Sequence, residues 1–119
     1  MELLYEGPDI LVGTIEVLYR GHWGIVCDFL FDDLDAGVVC RQLGYRNGSA
    51  LAANCCTRAY DEIPIVLNEI QCMGFEDSIA FCPHKPWGIN NCYKSEAAAV
   101  RCSQRDAGIH LSVNVYVCI

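Results

Sequence analysis

The chain has 119 residues, enough for one domain with a modest core and too few for two, and its 8 Lys and Arg against 15 Asp and Glu leave a formal net charge of −7. That balance gives no electrostatic footprint for a phosphate backbone, so nucleic acid is not an expected partner. No apolar run reaches the roughly 18 residues of a membrane helix, so membrane insertion by this segment is not expected. MELLYEGPD carries Glu2 and Glu6 where a signal peptide has a basic start and an apolar core, so an export signal is expected outside this segment.

In chain order, TIEVLY (14–19) alternates imperfectly and is rich in β-formers, and Arg20-Gly21 turns it into a second strand, HWGIVCD (22–28), as a hairpin. Asp32 or Asp33 is placed to cap a helix from about Leu34 to Leu43, with Ala36, Val39, Cys40 and Leu43 at helical spacing and Gly44 as its stop. The stretch 45–62 is turn-rich and carries no clear element. IPIVLNEIQC (63–72) is a strand candidate that buries Ile65, Leu67 and Ile70. The tail IHLSVNVYV (109–117) alternates cleanly, with Ile109, Leu111, Val113, Val115 and Val117 on one face of a final strand.

Nine cysteines in so short a chain point to an oxidising, extracellular setting, because cytosolic thiols are kept reduced. Six cysteines allow 15 pairings, and spacing alone does not choose among them. Outside those six stand Cys55, Cys56 and Cys118, an odd number that leaves at least one without a partner inside the chain. A fold-back of Cys118 onto Cys55 or Cys56 is favoured over a vicinal Cys55–Cys56 bond, which strains the intervening peptide; a bond to another chain, giving a disulfide-linked oligomer, is the remaining option. The histidines His22, His84 and His110 show neither i, i+4 nor zinc-finger spacing, so zinc is not expected. No CxxC redox motif is present, and a protease nucleophile would need a free low-pKa thiol. Trp23 and Trp87 read as packing residues.

Five segments in register, HWGIVCD (22–28), DLDAGVVCRQLGY (33–45), IPIVLNEIQC (63–72), DSIAFCPHKPWGINNC (77–92) and SEAAAVRC (95–102), resemble the scavenger receptor cysteine-rich domain from about Leu3 to Ser103. The resemblance implies an α+β fold, a curved antiparallel β-sheet cradling one main α-helix in a small disulfide-rich domain. Residues 1–119 then form a single domain, with 104–119 as a C-terminal strand extension. It also implies the bridges Cys27–Cys92, Cys40–Cys102 and Cys72–Cys82. Leu11 and Tyr45 stand where the eight-cysteine subclass has its extra pair, so the six-cysteine subclass is expected.

The resemblance further implies a cation site, in which Asp28 and Glu96 match the family's acidic cluster while Phe29 and Ala97 break it. Asp32, Asp35 or water is left to complete the coordination of a weakly held Ca²⁺. Asn68, Glu69 and Asn91 match a second set. These same carboxylates serve equally well as surface or capping groups, and the two readings stand side by side. RAYDEI (58–63) replaces a glycine-rich family stretch with a bulkier, acidic loop. Arg20, Arg41, Arg46, Arg58, Arg101 and Arg105 are scattered in sequence rather than clustered into a polyanion patch. The sequon Asn47-Gly48-Ser49 is expected in an exposed loop just beyond the helix, as a glycan acceptor.

The function expected from these features is non-enzymatic: an extracellular module, secreted or part of an ectodomain, that binds protein, microbial or polyanionic ligands with a cation's assistance. The alternative is a structural or assembly module of an extracellular enzyme or matrix protein, linked through an extra cysteine.

Overall fold

The computed structural model describes residues 4–7, 10–19, 21–51, 65–85, 97–105 and 115–118, of which 4–7, 19, 65–67 and 115–118 are described by backbone alone. The organising element is β2 (Ile10–Tyr19), which pairs antiparallel with β1 (Leu4–Gly7), β3 (His22–Val26), β6 (Ala99–Arg105) and β7 (Val115–Cys118). The sheet order is β4-β6-β2-β3-β5, with β4 (Tyr45–Leu51) at one edge and β5 (Ile65–Leu67) at the other. Pairing is antiparallel throughout except between β3 and β5, which run parallel because α1 and β4 intervene between them in the chain.

Being central explains why β2 alternates poorly. Leu11, Ile15 and Val17 enter the core beneath the helix, yet Thr14 and Glu16 on the other face are buried as well. A strand covered on both faces loses the in-out polarity that marks a half-exposed one. The register Tyr19↔His22 closes the predicted hairpin across two residues, and Gly21 at φ +80° supplies the left-handed conformation it needs.

Helix α1 spans Asp33–Gln42, one residue earlier than expected, because Asp32 rather than Asp33 is the cap. The Asp32 carboxylate accepts the N–H groups of Leu34 and Asp35 (3.0 and 3.2 Å), and Asp35 reaches back to the Asp32 N–H at 2.8 Å, a reciprocal capping box. Asp33 instead accepts from the Ala50 N–H at 2.8 Å and ties the helix to β4. At the far end Gly44, at φ +92°, donates to the Arg41 carbonyl and stops the helix. Ala36, Val38, Val39 and Cys40 pack onto Leu11, Ile15, Val26 and Val100 of the sheet.

Two sequence expectations, at 45–51 and at 63–72, need correction. Residues 45–51, left unassigned, are the edge strand β4, so Asn47 lies on a strand and not in a loop. The Asn, Gly and Ser of this strand mimic a turn, but Gly48 answers to packing: a Cβ there would meet the Ala36 carbonyl oxygen and Cys40 Sγ, both at 2.6 Å. Among the described residues of the strand expected over 63–72, pairing covers Ile65–Leu67, and 63–64 lie outside them. Glu69 at φ +55° turns the chain out of the sheet, and Ile70 is fully buried beyond it. The final strand is described at Val115–Cys118, while 109–114 and the side chains of Ile65, Leu67, Val115 and Val117 lie outside the described residues. Strand β1 had no counterpart in the sequence reading.

Candidate ligand-binding surface

Disulfides fix the scaffold. Cys40 of α1 is bonded to Cys102 of β6, both fully buried, which clamps the helix to the sheet across 62 residues of sequence. Cys72 is bonded to Cys82 and closes a short loop, with a separation of 10. Cys27 is also disulfide-bonded; Cys92, its expected partner, lies outside the described residues, as do Cys55 and Cys56. Cys118 ends β7 opposite Thr14 of β2, and its side chain is not described.

The 72–82 loop is held by charged groups at successive backbone positions. Asp35, 37 residues away, accepts the Cys72 N–H at 2.6 Å. Glu76 accepts the next two, from Met73 and Gly74, both at 2.9 Å. The Arg41 guanidinium donates to the Gly74 carbonyl at 2.9 Å and to the Glu76 carbonyl, while Gln42 Oε1 accepts the Ile79 N–H at 2.7 Å. Ser78 caps the short 3₁₀ turn Ile79–Phe81, whose Ile79 is sunk in the core. Charge-assisted bonds of this kind are the stronger ones, so this loop is fixed covalently at its ends and electrostatically within.

These two carboxyls titrate in opposite directions. Burial pushes Asp35 up to about 6, with the neighbouring Asp32 adding to the rise against the N–H bonds from Asp32 and Cys72. Glu76 is held below the usual carboxylate range by main-chain N–H bonds, that of Met73 first.

The cation candidates distribute as follows. Asp32 is occupied as the helix cap. Asp28 is half-buried at the start of a turn closed by its carbonyl and the Phe31 N–H (2.9 Å), in which Phe29 and Leu30 stand exposed and Leu30 takes φ +65°, an uncommon conformation for a bulky residue. Glu96 and Asn91 lie outside the described residues. Glu69 is paired with Lys85 Nζ at 2.6 Å, so its charge is already met. Asn68 is 1% exposed and its Oδ1 has no hydrogen-bond partner among the described residues, a buried acceptor of the kind a cation could use. Among the described residues one further trio of ligand types converges, Cys72, Glu76 and Cys82, within 4.8 Å; the bond between the two sulfurs removes the thiolates such a site would need.

Of the arginines, Arg41 is spent on the loop carbonyls, Arg46 and Arg105 are exposed on the neighbouring strands β4 and β6, and Arg101 is half-buried. Arg20 and Arg58, with the rest of RAYDEI, and Trp87 lie outside the described residues. Asn47 is exposed, and its amide donates to Gln104 Oε1 at 2.8 Å. Glu76 and the apolar residues of its loop were not singled out from the sequence. The available signal was Met73, Phe75 and Phe81 falling between two cysteines in a segment too short to bury them.

A family model for the scavenger receptor cysteine-rich domain matches residues 5–103. Galectin-3-binding protein of Rattus norvegicus is 41% identical over 108 residues, covering 91% of this chain and 19% of that protein. A scavenger receptor cysteine-rich domain superfamily protein of Patiria pectinifera is 45% identical over 103 residues, covering 85% and 9% respectively. The chain thus spans a fifth or less of these relatives. Among solved structures, the dimeric form of the mouse MARCO domain superposes with a TM-score of 0.73 at 36% identity, covering 84% of this chain and 94% of that one. The third such domain of murine neurotrypsin gives 0.70 at 32% identity, covering 85% and 94%.

Proposed function

This chain belongs to the scavenger receptor cysteine-rich domain family, and we propose on that premise that it is a non-enzymatic, extracellular ligand-binding module. The observation that carries this reading is the 72–82 loop. Asp35, Glu76 and Arg41 fix its backbone, so the exposed Met73, Phe75 and Phe81 are presented in a set arrangement, and recognition sits on loops positioned by a rigid scaffold. The name of one relative, galectin-3-binding protein, supports a protein ligand; polyanionic or microbial ligands are part of the proposal. On this reading 1–119 is one domain of the six-cysteine subclass, with Leu11 and Tyr45 packed in the core at the extra-pair positions.

The proposed cation contribution is small. Asp28 with Glu96 would hold Ca²⁺ only weakly, toward the millimolar end of extracellular modules, since Asp32 is engaged in capping. Calorimetry showing micromolar affinity would defeat that part. Asn47 is the proposed glycan acceptor, giving up its bond to Gln104, and mass spectrometry after glycosidase treatment reads it.

The decisive experiment is solid-phase binding of the secreted chain, with and without EDTA, to dextran sulfate, lipopolysaccharide and an extracellular matrix protein. Saturable capture of one or more by a monomer supports recognition. Failure with all three, together with a disulfide-linked dimer on a nonreducing gel, would favour the assembly role through Cys55, Cys56 or Cys118.

A further inference from the structure

The disulfide-closed loop carries three large apolar side chains that the fold leaves in solvent: Met73 is 69% exposed, Phe75 75% and Phe81 72%. Leu34, 51% exposed on the first turn of α1, joins them, because a Cβ added to Gly74 would sit 3.2 Å from its Cδ2. Leu34 thus lies over Gly74, the residue that separates Met73 from Phe75 in the chain. Single exposed hydrophobics are unremarkable on a protein surface, but a cluster on one element marks an interaction site. Nor can this cluster easily fold inward. The Cys72–Cys82 bond, the three carboxylate-held N–H groups and the Arg41 contacts fix the backbone beneath it. Such preorganisation lowers the ordering cost of binding.

The surroundings of the cluster select its partner. Asp32 and Asp33, beside Leu34, and Asp77, beside the loop's apolar residues, are all exposed. Arg41 keeps its positive charge while donating to neutral loop carbonyls, but among the described residues it is outnumbered by the carboxylates of Asp32, Asp33, Asp77 and Glu76, and the whole chain carries −7. A second copy would bring acidic rim against acidic rim, which like-charge repulsion opposes; a partner with apolar side chains flanked by Lys or Arg meets both features.

Resting on the binding-module reading above, we infer that Leu34, Met73 and Phe75 form the apolar centre of a docking surface for a basic, apolar protein segment. Complementarity of the acidic rim supplies partner choice, and burial of the Met and Phe side chains supplies most of the affinity.

The test uses the intact, disulfide-bonded chain and three immobilised synthetic peptides: one alternating Leu and Lys, its Lys→Glu counterpart and its Leu→Ser counterpart. Binding is expected to the Leu/Lys peptide alone. Phe75→Ser and, separately, Met73→Ser should each weaken it by about tenfold or more, while Arg105→Ser, on the exposed end of β6, leaves it unchanged. All three side chains are exposed, so an unshifted thermal midpoint confirms that the variants fold. Equal binding to the Leu/Glu or Ser/Lys peptide, no binding to the Leu/Lys peptide, or indifference to Phe75→Ser would overturn the inference. Phe75→Ser turning a dimer into a monomer would overturn it in favour of self-association, and Phe75-dependent binding to phosphatidylcholine vesicles in favour of a lipid surface. Capture of dextran sulfate by a chain that does not bind the Leu/Lys peptide would leave the general binding function standing while overturning this surface.

Discussion

Asp35 and Glu76 are two buried carboxylates that hold adjacent stretches of one backbone, yet their acidities move apart. Asp35 belongs to the helix: it closes the capping box with Asp32 and reaches across to Cys72, and its carboxyl, 1% exposed beside a second carboxylate, is pushed up to about 6. Glu76 belongs to the loop that it holds, accepting from Met73 and Gly74 with no second carboxylate among the causes of its shift, and is held below the usual range. Main-chain N–H groups lower both, two of them at Asp35 and four, from Met73, Glu76, Gly74 and Phe75, at Glu76. Desolvation and a like-charged neighbour decide at the helix, and hydrogen bonding decides in the loop. The helix end is therefore a place where the fold spends stability, and the loop a place where charge is used to hold shape.

Breaking the covalent bonds of the two regions should give the largest effects. Replacing Cys40 and Cys102 by Ala opens a closure of 62 residues and should cost about 4 kcal/mol in the chain-entropy model, while Cys72→Ala with Cys82→Ala opens one of 10 and should cost under about 3. Urea unfolding of the two double variants reads the difference, and a costlier short bridge would show that the loop, rather than the helix clamp, anchors the fold. Next in size is Asp35→Ala at pH 5, which strands the buried N–H groups of Asp32 and Cys72 and should cost about 2 kcal/mol. Asp35→Asn keeps an acceptor for Cys72 and should cost less than half as much.

The contrast also marks what was legible in the sequence. The hairpin at Gly21, the cap narrowed to Asp32 or Asp33 and the stop at Gly44 are local: the residue that sets the geometry is among the residues one reads. The curved sheet and the family came instead through the resemblance carried by five segments in register. Strand β4 was hidden because Gly48 is there to let β4 approach Ala36 and Cys40, a reason that exists only once the helix is in place. The strand expected through residue 72 stopped early at a left-handed glutamate, a conformation composition does not betray. At the candidate surface, the carboxylates considered as cation ligands were visible as residue types, but Asp35 acts on a backbone 37 positions away and Glu69 is answered by Lys85. Pairings of that range are products of the fold.

The pH dependence sharpens the comparison. Asp35 is raised from 3.8 to about 6, so between these values the folded state binds the extra proton and its contribution to stability falls as pH rises. Glu76, lowered from 4.5, acts with the opposite sign: its contribution is present above that value and is lost as pH falls through the folded one. From about pH 4.5 to 6.5 the slope attributable to Asp35 should therefore be a loss on the order of 1–2 kcal/mol, reduced from the full shift by its interaction with Asp32. Subtracting the Asp35→Asn curve from the parent isolates it from the histidines. A flat difference across that window would mean that the carboxyl is ionised in the fold without penalty.

The smallest global effect, and the most local one, is expected from Glu76→Gln. Glutamine keeps the shape but is neutral and places an amide NH₂ where a second acceptor oxygen stood, so the N–H of Met73 or of Gly74 loses its acceptor and the other keeps an uncharged one, while the disulfide, Arg41 and Gln42 still hold the loop ends. Unfolding midpoints should barely move, because most of the buried core, from Ile15 to Val100, is untouched. Amide hydrogen exchange at Met73 and Gly74 should nevertheless accelerate by about tenfold, since local opening no longer breaks a charge-assisted bond. The acid-side loss of stability due to Glu76 should vanish as well. The exposed Met73 and Phe75 would then ride on a looser backbone, so Leu/Lys peptide binding should weaken with no change in the residues that touch it. Unchanged exchange with unchanged binding would show that the disulfide alone sets the loop, and that the carboxylate contrast between helix and loop has no bearing on recognition.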